Sequence, residues 1–290
     1  MDRRYFFMST GAAALSLTGC ASRSKLKIPK GDIPVRRLGR TDVMVTRFGF
    51  GSHLNARLMK DPVLRDRMIK AGFDSGITTF DVYDHGGYKQ FEPMGKSVRD
   101  FRKNAVISLC SVAKDDQMGA EIDGALGMFH TDYIDLYRLQ YVTDERIAIL
   151  DKIKKSGKIR AIGVVSHNGD DIRKHADRYD GVIDFVMIVY NFHHNIGRPK
   201  KGSGMPPNDY TSLIPFCASK KLGILGIKPM GSDDMVDFAR RNGYYDRKGP
   251  SVSHASLRHV FACPEIDCTM PAMNSPAELA ANLDAAYHPA

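Results

Sequence analysis

The chain has 290 residues, 43% hydrophobic and 26% charged, an ordinary globular composition with enough apolar material for one large α/β domain or two small ones. Its formal net charge is +9, yet Lys and Arg are scattered among Asp and Glu, and no nucleic-acid-binding motif accompanies them. Nucleic acid is therefore excluded as an expected partner. The basic excess suits a solvated surface or an anionic membrane face.

Residues 1–20, MDRRYFFMSTGAAALSLTGC, set Arg3 and Arg4 before an apolar stretch too short to span a bilayer and end in Leu17-Thr-Gly-Cys20. Residues 1–19 read as a signal peptide. Arg-Arg-x-Phe resembles a twin-arginine export signal, and Leu-Thr-Gly-Cys resembles the bacterial lipobox, whose cysteine is acylated and becomes the first mature residue. A plain N-terminal anchor helix with a chance cysteine is the alternative. Lipidation is expected at Cys20, with residues 20–33 as a flexible tether, so the chain reads as an exported, membrane-anchored lipoprotein facing the periplasm or cell exterior. Export by the twin-arginine route implies a barrel that crosses already folded. Cys110, Cys217, Cys263 and Cys268 would then sit where disulfides are permitted. Their spacing is no zinc pattern; buried free thiols are expected, with Cys263 and Cys268 as the pair to check.

From residue 34 onward one domain is expected. Val35 to Val45 holds two short alternating runs around Gly39-Arg-Thr-Asp42, which predicts a small β-hairpin. Strand-like runs follow at 46–51, 77–81, 105–112, 133–139, 159–165, 184–189, 223–227 and 266–270. Helix-period segments lie between them, among them 62–75, 118–129, 144–156 and 276–286. Alternating β and α with Val, Ile and Leu runs means parallel strands buried on both faces, and eight repeats close a ring. The predicted fold is an α/β (β/α)8 TIM barrel, with an open doubly wound sheet as runner-up. Against the latter, Gly49-Phe-Gly51-Ser-His-Leu lacks the six-residue glycine fingerprint of dinucleotide-binding sheets. The long stretch from Asn191 to Asp209, rich in Gly, Pro and basic residues, predicts a flap over the barrel mouth.

The stretch Gly76-Ile-Thr-Thr-Phe-Asp81-Val-Tyr-Asp-His-Gly-Gly-Tyr88 delivers a carboxylate at a strand end and a phenol in a Gly-rich loop. Read alone it is first an ordinary buried strand and turn, with Asp81 capping the next helix and Tyr88 packed at the loop base. Together with Arg37-Leu-Gly-Arg-Thr, Thr131-Asp-Tyr-Ile-Asp-Leu-Tyr137, Gly157-Lys-Ile-Arg160 and Ser166-His-Asn168, it resembles the aldo-keto reductases from residue 35 to the end. The resemblance implies a barrel that binds NAD or NADP across its C-terminal mouth. Such a barrel moves hydride between that cofactor and a small carbonyl or alcohol, with a tyrosine handling the proton and an aspartate, a lysine and a histidine assisting.

Carried over, the aspartate falls on Asp81 and the tyrosine on Tyr88, with Tyr83 as competitor because the spacing to Tyr88 is long. No lysine ends the third strand, where Cys110 and Ser111 stand, and the histidine position holds Gln140. Gln140 retains an amide to hold a carbonyl; Lys228 is the expected substitute cation. On the cofactor side the resemblance places the nicotinamide amide at Ser166 and His167, with Met187 where a glutamine is usual. It places the pyrophosphate at Lys228, Pro229, Met230 and Gly231, and the adenosine phosphate at Glu278 and Asn282. Glu278 stands where an arginine often holds the 2′-phosphate, which favours NAD slightly. No metal site is expected, and His193-His194 reads as loop polarity. Two functions stay open: an oxidoreductase of this type, or a catalytically degenerate barrel acting as a periplasmic binding or scaffold lipoprotein.

Overall fold

The computed structural model describes residues 28–29, 31–51, 58, 60–84, 89–111, 113–191, 210–231 and 252–288. Runs of β-branched and aliphatic residues form seven parallel strands in sequential order: β3 (Thr79–Tyr83), β4 (Val106–Ser111), β5 (Ile134–Leu139), β6 (Ile159–Ser166), β7 (Phe185–Val189), β8 (Gly223–Ile227) and β9 (Cys268–Met270). The expected first strand at 46–51 is present as two single bridges, Phe48 to Thr269 and Phe50 to Phe80. Around them Gly49 N–H donates to Thr269 O (2.9 Å) and Phe50 N–H to Thr79 O (2.8 Å), so this segment joins β9 to β3 and closes the ring. Gly49 makes that closure sterically accessible, since a Cβ there would lie less than 3 Å from Met270 and Thr79 O.

The described α-helices are α1 (Pro62–Asp74), α2 (Phe91–Val98), α3 (Met118–Met128), α4 (Asp144–Lys155), α5 (Gly169–Arg178), α6 (Tyr210–Ser219), α7 (Val252–Phe261) and α8 (Pro276–Tyr287). Their starts follow capping chemistry. Asp61 precedes Pro62 and accepts from Leu64 N–H, and Thr143 accepts from Arg146 N–H, each satisfying an orphan donor of the first turn. In α4, Asp144 and Glu145 sit in the first turn and Lys152, Lys154 and Lys155 in the last, matching the helix dipole.

Because strand side chains alternate, each strand feeds two cores. Outward residues such as Ile107, Leu109, Tyr137 and Ile162 pack under the helices. Inward residues Leu136, Ala161, Phe185, Met187, Leu225, Cys268 and Met270 fill the barrel. The floor of that inner core comes from the hairpin β1 (Val35–Arg37) and β2 (Met44–Thr46), whose Leu38, Val43 and Val45 are fully buried against it. Removing those side chains from water stabilises the fold by about 1.5–3 kcal/mol each. Gly39 has φ +49 and sits where a Cβ would meet the backbone of Gly223, so the turn presses directly on the barrel bottom. Arg40 N–H donates to Lys221 O (2.9 Å) and its guanidinium to Ile183 O. The bottom is thereby sealed, and the strands' C-terminal ends are left as the open mouth.

Cys110, Cys217 and Cys268 are buried thiols and Cys263 a half-buried one. Among the described residues no helix is long and apolar enough to cross a membrane. Cys20 and the signal-like residues lie outside the described residues, as do Tyr88, His193, His194 and nearly all of the expected flap.

Candidate active site

At the C-terminal ends of the strands a cavity of about 880 Å3 opens, toward the upper end of the roughly 300–1,000 Å3 usual for small-molecule sites. The strand register stacks its floor. Tyr83 pairs with Cys110 across β3 and β4, and Cys110 with Arg138 across β4 and β5; two residues lower, Asp81 pairs with Ser108. Asp81, Tyr83, Cys110, Arg138 and Gln140 all line the cavity.

The floor is held by charge. Arg138 Nη1 lies 2.6 Å from Asp81 Oδ1, as an ion pair more than an aligned hydrogen bond, and donates to Ser108 Oγ at 2.6 Å. Both members are nearly sealed from solvent, with side chains 3% and 4% exposed. Above them Tyr83 donates its phenolic hydrogen to Gln140 Oε1 at 2.6 Å. Burial pushes Tyr83 up to about 12, with the Arg138 guanidinium working in the opposite direction. Burial likewise pushes the Cys110 thiol up to about 11 against the same guanidinium, so Cys110 is a neutral thiol at pH 7.

The opposite wall is shaped for a polar ligand. Asn282, on α8, is buried and lines the cavity with no hydrogen-bond partner among the described residues. Lys228 follows β8 with a left-handed φ of +53 in a turn closed by Gly231 N–H to Lys228 O (2.9 Å), and Asn191 Nδ2 donates to the same carbonyl at 3.1 Å. Burial alone lowers the Lys228 pKa, and it has no carboxylate partner among the described residues. A half-buried ammonium and a buried amide left over in this way are groups that an anionic, hydrogen-bonding ligand satisfies. Ser275 caps α8 by accepting from Glu278 N–H (3.2 Å), and Glu278 Oε2 accepts from Asn274 N–H (2.7 Å) at the cavity rim.

The profile of the Aldo/keto reductase family matches residues 49–289. The chain belongs to that family. Among curated relatives of this aldo-keto reductase, L-galactose dehydrogenase of Arabidopsis thaliana is 22% identical over 292 aligned residues, covering 87% of this chain and 88% of that protein. Aldo-keto reductase YhdN of Bacillus subtilis is 27% identical over 146 residues, covering 43% of this chain and 44% of its own. Among solved structures, aldo-keto reductase AKR11C1 of Bacillus halodurans, in its holo form, superposes with a TM-score of 0.68 at 19% identity, covering 87% of this chain and 90% of that one. That likeness carries the barrel fold.

The expected site residues converge: Asp81, Cys110, Gln140, Ser166, His167, Lys228, Pro229, Met230, Gly231, Glu278 and Asn282 all line the one cavity, and so does Met187. Tyr88 lies outside the described residues; the competing phenol, Tyr83, ends β3, which runs two residues beyond Asp81, and lines the cavity. A cation that the sequence reading did not single out, Arg138, pairs with Asp81, and Lys228, just past β8, lines the same cavity. Sequence reasoning missed Arg138: the two-residue period groups it with Leu136 and Gln140, but every residue from Ile134 to Leu139 is buried, so the pattern does not show which face points inward.

Proposed function

We propose that this aldo-keto reductase is a lipid-anchored, exported oxidoreductase that reduces a small carbonyl compound with a nicotinamide dinucleotide, Tyr83 serving as the proton donor. Family membership supports an oxidoreductase using a nicotinamide cofactor on small carbonyl substrates. The observation that carries the residue assignment is the Tyr83–Gln140 hydrogen bond above the Asp81–Arg138 pair, on the wall of the large cavity.

The cavity's donor set fits the dinucleotide. Ser166 and His167, which the family resemblance assigns to its amide end, line the cavity, Lys228 offers a cation for phosphate, and Asn282 offers a free side-chain amide from the middle of α8. When bound, the cofactor supplies the hydride that makes the new C–H bond. The protein manages the oxygen. A carbonyl oxygen that displaces Gln140 from the Tyr83 hydroxyl accepts the phenolic hydrogen; as the C=O π bond becomes an alkoxide lone pair, that hydrogen transfers and the phenolate is left behind. Gln140 then turns its amide N–H toward the same oxygen, holding it without adding charge. Glu278 at the rim favours the dinucleotide without a 2′-phosphate.

The test is calorimetric titration of the mature domain with each dinucleotide, followed by turnover on a panel of aldehydes, ketones and sugars. Micromolar binding with reduction of at least one class supports the reading. No binding at millimolar cofactor overturns it, and binding without turnover in either direction supports a scaffold instead.

A further inference from the structure

We propose that Arg138 is the positioning residue of this site: locked by Asp81 and Ser108 beneath Tyr83, its guanidinium stabilises the phenolate left when Tyr83 gives up its proton. The proposal rests on Tyr83 being the proton donor.

The first argument is placement. Tyr83, Cys110 and Arg138 form one row across three neighbouring strands, and Asp81 lies two residues below Tyr83 on the same inward face. Adjacent strands lie about 4.8 Å apart, so the Arg138 backbone is roughly 10 Å from that of Tyr83. The side chain spans the gap to reach Asp81, 2.6 Å away. The charge therefore sits under the phenol, on the reacting side of the barrel.

The second argument concerns cost. Taking both charges out of water is expensive, and buried pairs of this kind are often matched or surpassed in stability by apolar residues of similar volume. Elsewhere the described inner core is filled by apolar Ala161, Phe185, Leu225 and Met270 and by neutral groups such as Thr79, which bonds Thr46. Packing alone gives no reason for an ion pair at this one place, directly beneath the candidate acid.

The third argument is the sign of the field. Burial, Cys110, Tyr141 and Asp81 all favour the neutral phenol of Tyr83, and among the described residues Arg138 opposes them. Gln140, its hydrogen-bond partner, is uncharged, while Lys228 and His167 face the cavity from β8 and the end of β6. A guanidinium keeps its proton at any working pH, so this opposing field is constant. An acid must become an anion in the step it catalyses, and a fixed cation lowers that barrier without itself exchanging a proton.

The experiment replaces the 12 tyrosines with 3-fluorotyrosine and follows the Tyr83 resonance, assigned by Tyr83→Phe, through a fluorine NMR pH titration. Arg138→Gln should move the Tyr83 midpoint up by about one pH unit or more, and Asp81→Asn, which leaves the guanidinium unopposed, should move it down. Arg138→Lys should stay near wild type. If Arg138→Gln does not fold with a lone buried carboxylate, the paired Asp81→Asn/Arg138→Gln variant, neutral and of similar shape, should still show an upward shift. In turnover, Arg138→Gln should lower kcat by about 10- to 100-fold with dinucleotide Kd unchanged within twofold, and Arg138→Lys should restore most of it. Shifts of the same direction in Arg138→Gln and Asp81→Asn, or none in either, overturn the proposal. Opposite shifts in a wild type that turns nothing over would sustain the hold of Arg138 on the phenol and overturn the oxidoreductase reading instead.

Discussion

The Tyr83 hydroxyl and Gln140 Oε1, 2.6 Å apart, tie the end of β3 to the residue just past β5 across the cavity wall. The acceptor is a neutral amide, so the phenol is oriented without being drawn toward ionisation. Tyr83→Phe should therefore abolish carbonyl reduction while leaving dinucleotide binding within about twofold. Gln140→Leu should cost about tenfold in kcat, toward the low end of what positioned acid–base groups contribute. Steady-state kinetics beside calorimetric Kd separate these effects, and Tyr88→Phe serves as the comparison. Full activity in Tyr83→Phe with none in Tyr88→Phe would move the proton donor to Tyr88.

The pH dependence follows from the raised phenol. With Tyr83 pushed up to about 12 by burial, the protonated form needed for reduction persists through pH 10, so this group gives no alkaline fall below about pH 11. Alcohol oxidation needs the phenolate and should rise about tenfold per pH unit over the same range. Initial rates in both directions from pH 7 to 10.5 test this. The linked stability effect has a definite sign: the unfolded chain releases this proton near 10 and the folded chain later, so stability falls as pH rises from about 10 to 12. Tyr83 is half-exposed, which keeps that loss small.

Much of this molecule was legible because strand periodicity and strand ends are local signals. The eight β runs gave the ring, and residues at or just past strand ends, Gln140, Ser166 and Lys228 among them, landed on one cavity. Arg138 was hidden by its context: every residue from Ile134 to Leu139 is buried, so the alternation that separates inside from outside is masked by burial on both faces. Its partner Asp81 is 57 positions earlier in the chain, and no local pattern links the two. The motifs that carried the resemblance prove in part architectural. Asp135, from Thr131-Asp-Tyr-Ile-Asp135, meets Arg160, from Gly157-Lys-Ile-Arg160, at 3.0 Å.

That meeting makes a stability prediction. Asp135 is buried, lies 3.1 Å from Arg102, and accepts from Ile107 N–H at 3.0 Å, so one carboxylate neutralises two guanidinium groups and satisfies a backbone donor. Asp135→Ala strands Arg102 as a buried, unpaired charge. A loss of about 3–5 kcal/mol is expected, read as a lower denaturant midpoint, with Asp135→Asn losing less because it keeps an acceptor for Ile107. A loss under about 1 kcal/mol in Asp135→Ala would mean that water replaces the carboxylate freely.

Anchoring is tested at the other end of the chain. If Cys20 carries lipid, Cys20→Ala should shift the protein from the membrane to the soluble fraction, and the wild-type mature N-terminus should show the mass of an acylated cysteine. An unmodified Cys20 in membrane-bound, unprocessed protein would leave the plain anchor helix as the explanation.

Cofactor choice turns on Glu278. Its carboxylate accepts from Asn274 N–H at the start of α8, an arrangement in which a negative charge complements the helix dipole while its carboxylate occupies the cavity rim. If the adenosine end of the dinucleotide lies there, as family resemblance implies, a 2′-phosphate would face a like charge. Two such charges about 5 Å apart repel by roughly 3 kcal/mol at an effective dielectric near 20. Solvent exposure and salt reduce this to on the order of 1 kcal/mol, about fivefold in affinity. Glutamine also serves at this capping position, so Glu278→Gln removes the charge and keeps the backbone bond. It should tighten NADP binding by about fivefold, leave NAD within twofold, and lose its advantage above about 0.5 M salt, where screening already suppresses the repulsion. Calorimetric Kd values for both dinucleotides at low and high salt measure all three outcomes. An equal change for NAD and NADP would show that Glu278 acts through the cap and not through the phosphate.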